Sequence, residues 1–455
     1  MGTINSALYN ASNALGVLGQ AFNVVENNIS NANTPEYADQ TASFEPMPFD
    51  PGRLPGGVEA GPLISSRNEY LEQAVRSQQT ALGYASQRAG DLGQVQSSFS
   101  LTSTNGIDTA LNNFFNSFSQ LSVSPNDTVN RQAVLDAANS VAQSFQTAAG
   151  AIVQVSTNVV SQTNGVVSQI NDLAAKIAEL NQAYESNPDA ADDPSLDAQL
   201  HSDLLQLAGL ANYSLIKNDQ GGYNVFIGGQ TALVIGGTAK AISADNSSNQ
   251  TAIFDANGGD ITSQITGGQL GALIVEQNTT LPGYLDSLNT LAQNFADTIN
   301  EQLSQGVDQN GNTPLTPLFS YDAAGGAAAT LTVNDLTPDQ IAAASAGAPG
   351  GNGNAVAMAQ LANMPEINGA TFTQFFGNLG STIGNDVAGA QSDQQQAQAQ
   401  LTQAQSEVAN ASGVDLNAEA ARLLQYQQNY DAVGKLVSVL DGLTQTLINM
   451  VNGTA

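Results

Sequence analysis

A mainly α fold with an inserted β domain, elongated and built on long coiled-coil-like helices from both termini plus a small antiparallel β domain, is what this 455-residue sequence predicts. Three observations carry that prediction. Apolar residues alternate at spacings of four and three at each end of the chain, long helical periodicities fill most of the interval, and one internal stretch switches to short β-rich runs punctuated by glycine pairs. At about 150 residues per domain, the length suggests roughly three domains.

The first element is the N-terminal helix, whose seam runs through Ile4, Leu8, Ala11, Leu15, Leu18, Phe22, Val25 and Ile29. This is a heptad pattern rather than a general amphipathic stripe. The C-terminus repeats it with Tyr426, Tyr430, Val433, Val437, Leu440, Thr444, Leu447 and Val451. Each seam spans about 38 Å as a helix. The first is a poor helix alone, because Gly16 and Gly19 each cost about 1 kcal/mol relative to Ala. Its stability must come from packing, so both ends are expected to be weakly ordered in a free subunit and to order when neighbours cover the seams. Periodicity alone leaves a second arrangement open, an antiparallel hairpin of the two helices inside one chain.

Between the ends, helical seams run through Leu71 to Phe99, through Phe145 to Tyr184, and through Leu281 to Ile299, while Asp393–Glu407 is rich in the helix formers Gln and Ala. From Tyr213 to Phe254 the apolar runs shorten and are separated by Gly221-Gly222, Gly228-Gly229 and Gly236-Gly237, with Gly258-Gly259 following, which reads as hairpins. Gly350–Asn354 reads as a loop. The expected division is a terminal coiled-coil core domain of 1–35 and 413–455, an elongated helical domain of 36–200 and 278–412, and a β-rich outer domain of 201–277.

Composition removes much enzymology. Forty acidic residues against ten Lys and Arg give a net charge of −30, and the ten cations are scattered, so neither nucleic acid nor an anionic membrane surface is an expected partner. No Cys is present, and the lone His201 excludes any mechanism needing two imidazoles. The glycine pairs match no phosphate-binding loop. Asp308-Gln309-Asn310-Gly311-Asn312 lacks the closing Glu of a calcium loop and reads as an Asn-Gly turn. No catalytic constellation, metal set or cofactor is expected. Met1–Leu15 carries no basic and apolar leader, and no run of about twenty apolar residues would span a bilayer, so export by a route without a cleaved signal is expected.

The most informative stretch is Glu26-Asn27-Asn28-Ile29-Ser30-Asn31-Ala32-Asn33-Thr34-Pro35-Glu36-Tyr37, where the seam stops and Asn and Pro end the helix. This pattern resembles the N-terminal signature of bacterial flagellar rod, hook and hook-associated proteins. Gly106 to Phe118 with its Asn113-Phe114-Phe115, then Ser124-Pro125-Asn126-Asp127 and Arg131 to Leu135, resembles more narrowly the family of the first hook-associated protein. Ser412-Gly413-Val414-Asp415-Leu416 through Tyr430 resembles that family's C-terminal motif, and the Gly57-Val58 and Ile64-Ser65-Ser66-Arg67 segments fit the connector. Three departures stand out. Glu36 replaces the usual Gly and is expected to resist a positive φ, favouring a type I or wider turn. Asp39 stands near where a basic residue is common, putting a family ion pair in doubt, and Asp415 or Asn417 is left to cap the last helix.

The resemblance implies a structural adaptor, not an enzyme, at the extracellular hook–filament junction of the flagellum. Its implied partners are copies of itself in a ring, the hook protein, the next junction protein and a cytoplasmic export chaperone holding the C-terminal helix before secretion by the type III route. The seam residues, with Asn27, Asn28, Asn31, Asn33, Thr34, Pro35, Tyr37, Asn113, Phe114 and Phe115 of the motifs, are the candidate functional positions. The rival reading is a secreted adhesin or binding module on a helical stalk.

Overall fold

A computed structural model describes residues 2–48, 56–99, 106–187, 190, 193–219, 221–247 and 250–452. In chain order the elements are α1 (Gly2–Asn31), β1 (Gln40–Thr41), β2 (Phe44–Met47), β3 (Gly57–Ala60), β4 (Ile64–Ser65), α2 (Glu69–Ser98), α3 (Ile107–Val123), α4 (Thr128–Ser186) and α5 (Pro194–Leu210). Strands β5 (Tyr213–Lys217), β6 (Tyr223–Ile227), β7 (Thr231–Ile235), β8 (Thr238–Ala239), β9 (Ser243–Asp245) and β10 (Ala252–Phe254) follow. The remainder comprises α6 (Gly268–Val275), α7 (Leu281–Ser304), β11 (Gly306–Val307), β12 (Phe319–Ser320), α8 (Ala327–Thr330), β13 (Thr332–Val333), β14 (Ala344–Ser345), α9 (Gly353–Gln360), α10 (Phe372–Ser412) and α11 (Leu416–Asn452). The predicted fold class is what the chain adopts, long terminal helices with small antiparallel sheets. The helical seams between residues 145 and 184 belong to the single helix α4.

Two compact units divide the chain, one of Met1–Ala81, Ile170–Ala241 and Ala397–Ala455, the other of Leu82–Gln169 and Ile242–Gln396. The stretch 201–277 is shared between them, with β5 to β8 in the first unit and β9 and β10 in the second.

In the first unit β5 to β8 form an antiparallel meander. Tyr223, Val225 and Ile227 are buried on alternate positions of β6, the period of a half-buried strand. The turns rely on glycine: Gly228 and Gly236 have φ of 62° and 52°, a conformation that only Gly adopts without penalty. The final turns of α4 hold the sheet through Asn181. Its amide nitrogen donates to the carbonyls of Tyr223 at 2.8 Å and Gly236 at 2.9 Å, while its oxygen accepts from the Tyr223 N–H at 3.0 Å. Helix α5 starts where Asp193 accepts from the N–H groups of Ser195 and Leu196, with Pro194 at the first helical position.

The second unit has an aromatic core. The Phe114 ring lies edge-on to Phe115, Phe118 and Phe295 at 5.3–5.5 Å, and Phe295 also meets Phe145, Phe319 and Phe372. Helix α7 faces this core with Leu288, Leu291, Phe295, Ile299 and Leu303, all at helical spacing and buried. Arg131, only 1% exposed, has carbonyl acceptors from Pro125 at 2.8 Å and Ile341 at 2.6 Å, so a buried charge serves to tie two loops together. Between α6 and α7 the helix widens into a π turn, Glu276–Thr280, which turns the polar Glu276 and Gln277 inward. Arg88 answers Glu276 at 2.9 Å and Ser156 answers Gln277 at 2.9 Å.

Two local expectations meet different outcomes. Asp308–Asn312 is an Asn-Gly turn, with Asp308 Oδ1 accepting from the Asn310 and Asn312 N–H groups and Gly311 at φ 82°. The expected loop Gly350–Asn354 is shorter, because Gly353 and Asn354 already begin α9. Asn354 is buried there, its amide donating to the Ala342 carbonyl at 2.7 Å and accepting from Gln302 at 2.8 Å.

Phe114→Ala is expected to lower unfolding stability by about 3–5 kcal/mol, since it empties the centre of the ring cluster. Denaturant titration of the full chain checks this.

Candidate assembly site

Helix α1 ends by an amide cascade. Asn31 donates to the Asn27 carbonyl at 3.0 Å and also meets the Asn27 side chain, and Thr34 Oγ1 donates to Asn31 Oδ1 at 3.0 Å. The Thr34 N–H bonds the Asn31 carbonyl at 2.8 Å, and Tyr37 N–H bonds the Thr34 carbonyl at 3.3 Å, closing a turn over Pro35 and Glu36. Asn33 and Pro35 are exposed. Here the expected type I turn is corrected. Glu36 has φ 58°, the left-handed region a type II turn requires after Pro. What holds it there is Arg67, whose Nη2 donates to the Glu36 carbonyl at 2.6 Å while Nη1 engages Glu72 at 2.7 Å and Nε donates to Asp197 at 2.8 Å.

One turn earlier on α1, Asn28 is fully buried and fully satisfied. The two hydrogens of its amide nitrogen are shared among three acceptors, Asp39 at 2.7 Å, the Gln40 carbonyl at 2.7 Å and Glu419 at 3.2 Å. Its oxygen accepts from the Tyr37 hydroxyl at 3.0 Å and the Gln40 N–H at 3.1 Å. Arg422 completes the cluster, reaching Asp39 at 3.1 Å and also pairing with Glu419. Asp39 therefore does take part in an ion pair, with Arg422. Burial foremost, then the charges of Asp39 and Glu419, push the Tyr37 hydroxyl up to about 12. Asp415, not Asn417, caps α11, accepting from the Asn417 and Ala418 N–H groups. The cluster thus joins the end of α1, the connector and the first turns of α11. Sequence reasoning singled out Asn28 and Tyr37 but missed Arg422, which stood only among scattered cations.

Beyond the cluster the two seams meet. Phe22 lies edge-on to Tyr426 at 6.4 Å and to Tyr430 at 6.1 Å, and Phe44 of β2 meets Tyr426 at 6.1 Å. On α1, Leu18 and Val25 are buried, Ile4, Leu8, Leu15 and Phe22 half-buried and Ile29 exposed. On α11, Tyr426, Val433, Val437 and Leu440 are half-buried and Tyr430 and Leu447 exposed; the Val451 side chain lies outside the described residues. Among the described side chains of α11 only Glu419 is buried. A mostly apolar groove of about 410 Å³ opens among Val17, Leu18, Phe44, Val58 and Tyr426. A second stripe, missed in the sequence, runs along α11 through Leu436, Val439, Leu443 and Met450, all exposed. It repeats the seam's spacing one residue behind it, a rotation of about 100°. Asn113 is exposed, whereas Phe114 and Phe115 are core residues of the second unit.

Comparison with known proteins places this architecture. Residues 92–319 match the family model of the flagellar hook-associated protein FlgK helical domain, and residues 396–450 match that of the flagellar basal body rod FlgEFG protein C-terminal region. Flagellar hook-associated protein 1 of Bacillus subtilis is 25% identical over 97% of both chains. Its Escherichia coli namesake is 26% identical over 68% of this chain and 59% of its own length. The flagellar hook junction protein FlgK from Burkholderia pseudomallei shares the fold, with a TM-score of 0.68 at 17% identity over 74% of this chain and 99% of that one.

Asn28→Asp preserves shape but removes a donor and sets a third carboxylate beside Asp39 and Glu419. It is expected to cost about 3 kcal/mol or more at pH 7 and less at pH 4, where the introduced carboxyl takes up a proton, as read by denaturation at the two pH values. Glu36→Gly is expected to act the opposite way. Removing the left-handed penalty gains about 1 kcal/mol. The Glu36 carboxyl is itself raised above its ordinary value, by burial foremost and then by Glu72. The folded chain thus keeps its proton at a pH where the unfolded chain has released it, a penalty absent below the unfolded value of 4.5 and growing as pH rises through the folded value. The gain from Glu36→Gly is therefore larger at pH 7 than at pH 4 in thermal melts.

Proposed function

The chain belongs to the FlgK family of flagellar hook-associated proteins, structural components that join hook to filament, and on that premise we propose that the two faces of α11 together with α1 are the surfaces by which its copies assemble at the junction. The observation that carries this is the exposure of Leu436, Val439, Leu443 and Met450 on a helix whose seam already packs against α1. An isolated molecule gains nothing from an apolar stripe left in water. Covered by neighbours, each such side chain contributes about 1.5–3 kcal/mol. Two stripes about 100° apart give α11 one face for its own α1 and another for an adjacent subunit, the arrangement a heterologous ring contact needs.

The seam residues and the amide-rich turn after α1 serve this assembly, with the Asn28 cluster setting the relation of the paired helices and the groove beside Tyr426 receiving an apolar side chain of a neighbour. On this reading the finished protein stands outside the cell between the hook protein and the next junction protein. Before secretion, an export chaperone covers α11 and prevents premature association. A free adhesin finds no support in the relatives named above, two hook-associated proteins and a hook junction protein.

The double variant Leu436→Glu and Leu443→Glu tests the proposal. Both positions are exposed, so helicity and melting temperature are expected to stay unchanged. Cells carrying it are expected to keep intact hooks and to spill filament subunits into the medium, with at least about tenfold fewer filaments by electron microscopy. Normal filaments would overturn the assignment of α11.

A further inference from the structure

In the first unit a cavity of about 560 Å³ opens between the first turns of α2 and the strands β5 and β6. Its wall carries two cations, Arg76 and Lys217, and one carboxylate, Glu69. Glu69 is already engaged: the Tyr223 hydroxyl donates to one of its oxygens, and the other lies 3.9 Å from Arg76 Nη2. Gln73 and Ser77 stand on the same side of α2 as Arg76 and add polar groups to the lining.

Arg76 differs from every other described arginine. Arg67, Arg88 and Arg422 each hold a carboxylate within 3.1 Å, and Arg131 donates to backbone carbonyls at 2.6–2.8 Å. Arg76 has its carboxylate only at 3.9 Å, and its Nη1 is buried without an acceptor. A guanidinium on a cavity wall whose carboxylate stands only at 3.9 Å is loosely paired, so such a site favours an incoming acceptor. Lys217 is exposed, its ammonium 5.6 Å from the centre of the Tyr223 ring. The buried His201, edge-on to the same ring at 5.9 Å, is held neutral by burial foremost and then by the positive charges of Arg67, Arg76 and Lys217. With Glu69 counted, the cavity wall carries one net positive charge, which matches a carboxylate better than a phosphate dianion.

We propose that this cavity is a carboxylate-binding site, filled in the assembled flagellum by an Asp or Glu side chain of a second copy of this chain. The inference rests on the assembly reading above. Charge selects the occupant. Copies bearing −30 repel one another, and each brings forty acidic residues but ten Lys and Arg, so packing side by side requires places where a carboxylate meets an under-used cation. A fork of guanidinium nitrogens beside an ammonium is such a place.

The test places the photoreactive residue p-benzoylphenylalanine at Ser77, on the cavity wall, in the full chain, and irradiates hook–filament preparations from cells. The expected product is an adduct of two copies whose linked peptide contains Asp or Glu. Lys217→Glu is expected to lower its yield at least about fivefold, whereas Lys240→Glu, outside the cavity lining, leaves it unchanged. An adduct with a different protein, no adduct from chain that has been incorporated, or indifference to Lys217→Glu would each overturn the proposal. Absence of the chain from the preparations would instead sink the assembly reading, and this inference with it.

Discussion

A buried amide with five partners governs the first unit. Asn28 carries no charge, yet it is the donor between two carboxylates, Asp39 and Glu419, and the acceptor for Tyr37 and the Gln40 backbone. Two acids drawn from distant parts of an already acidic chain would repel in a buried place. Asn28 donates to both from one nitrogen, and Arg422 supplies the compensating charge from the side. Everything the termini do together depends on that balance. It fixes the register of α1 against α11, which in turn sets Phe22 between Tyr426 and Tyr430 and leaves the stripe from Leu436 to Met450 outward.

The second unit obeys a different rule. Its residues are held by ring-on-ring packing about Phe114 and Phe295 and by polar groups whose partners are supplied inside the unit, Arg131 by carbonyls and Glu276 by Arg88. Phe114 and Phe115 are residues of this core, so what they contribute there is packing rather than a contact surface. The exposed apolar stripe of α11 and the buried polar cluster about Asn28 both fall in the first unit.

Much of this was legible in the chain. The terminal heptads, the hairpin glycines and the Asn-rich helix end report local preferences, and local preferences survive into the structure. Glu36 was misread because propensity weighs a residue against its own backbone, while the outcome was decided by Arg67, thirty-one positions away, capturing the carbonyl. Arg422 and Arg76 were invisible for the same reason: a scattered cation has meaning only through the groups that folding brings beside it. The second stripe on α11 was available in the sequence, at the seam's own spacing displaced by one, and was hidden by the stronger first pattern.

The clasp between Asn28 and Glu419 closes a span of 391 residues. A chain delivered from its N-terminus, as every chain is during synthesis, presents its first helix long before the acid that secures it exists. The second unit lies wholly between the two and has all its own rings in hand earlier, so it can mature while the termini wait. Timing is thus written into the order of the residues: the end that fastens is the last to arrive.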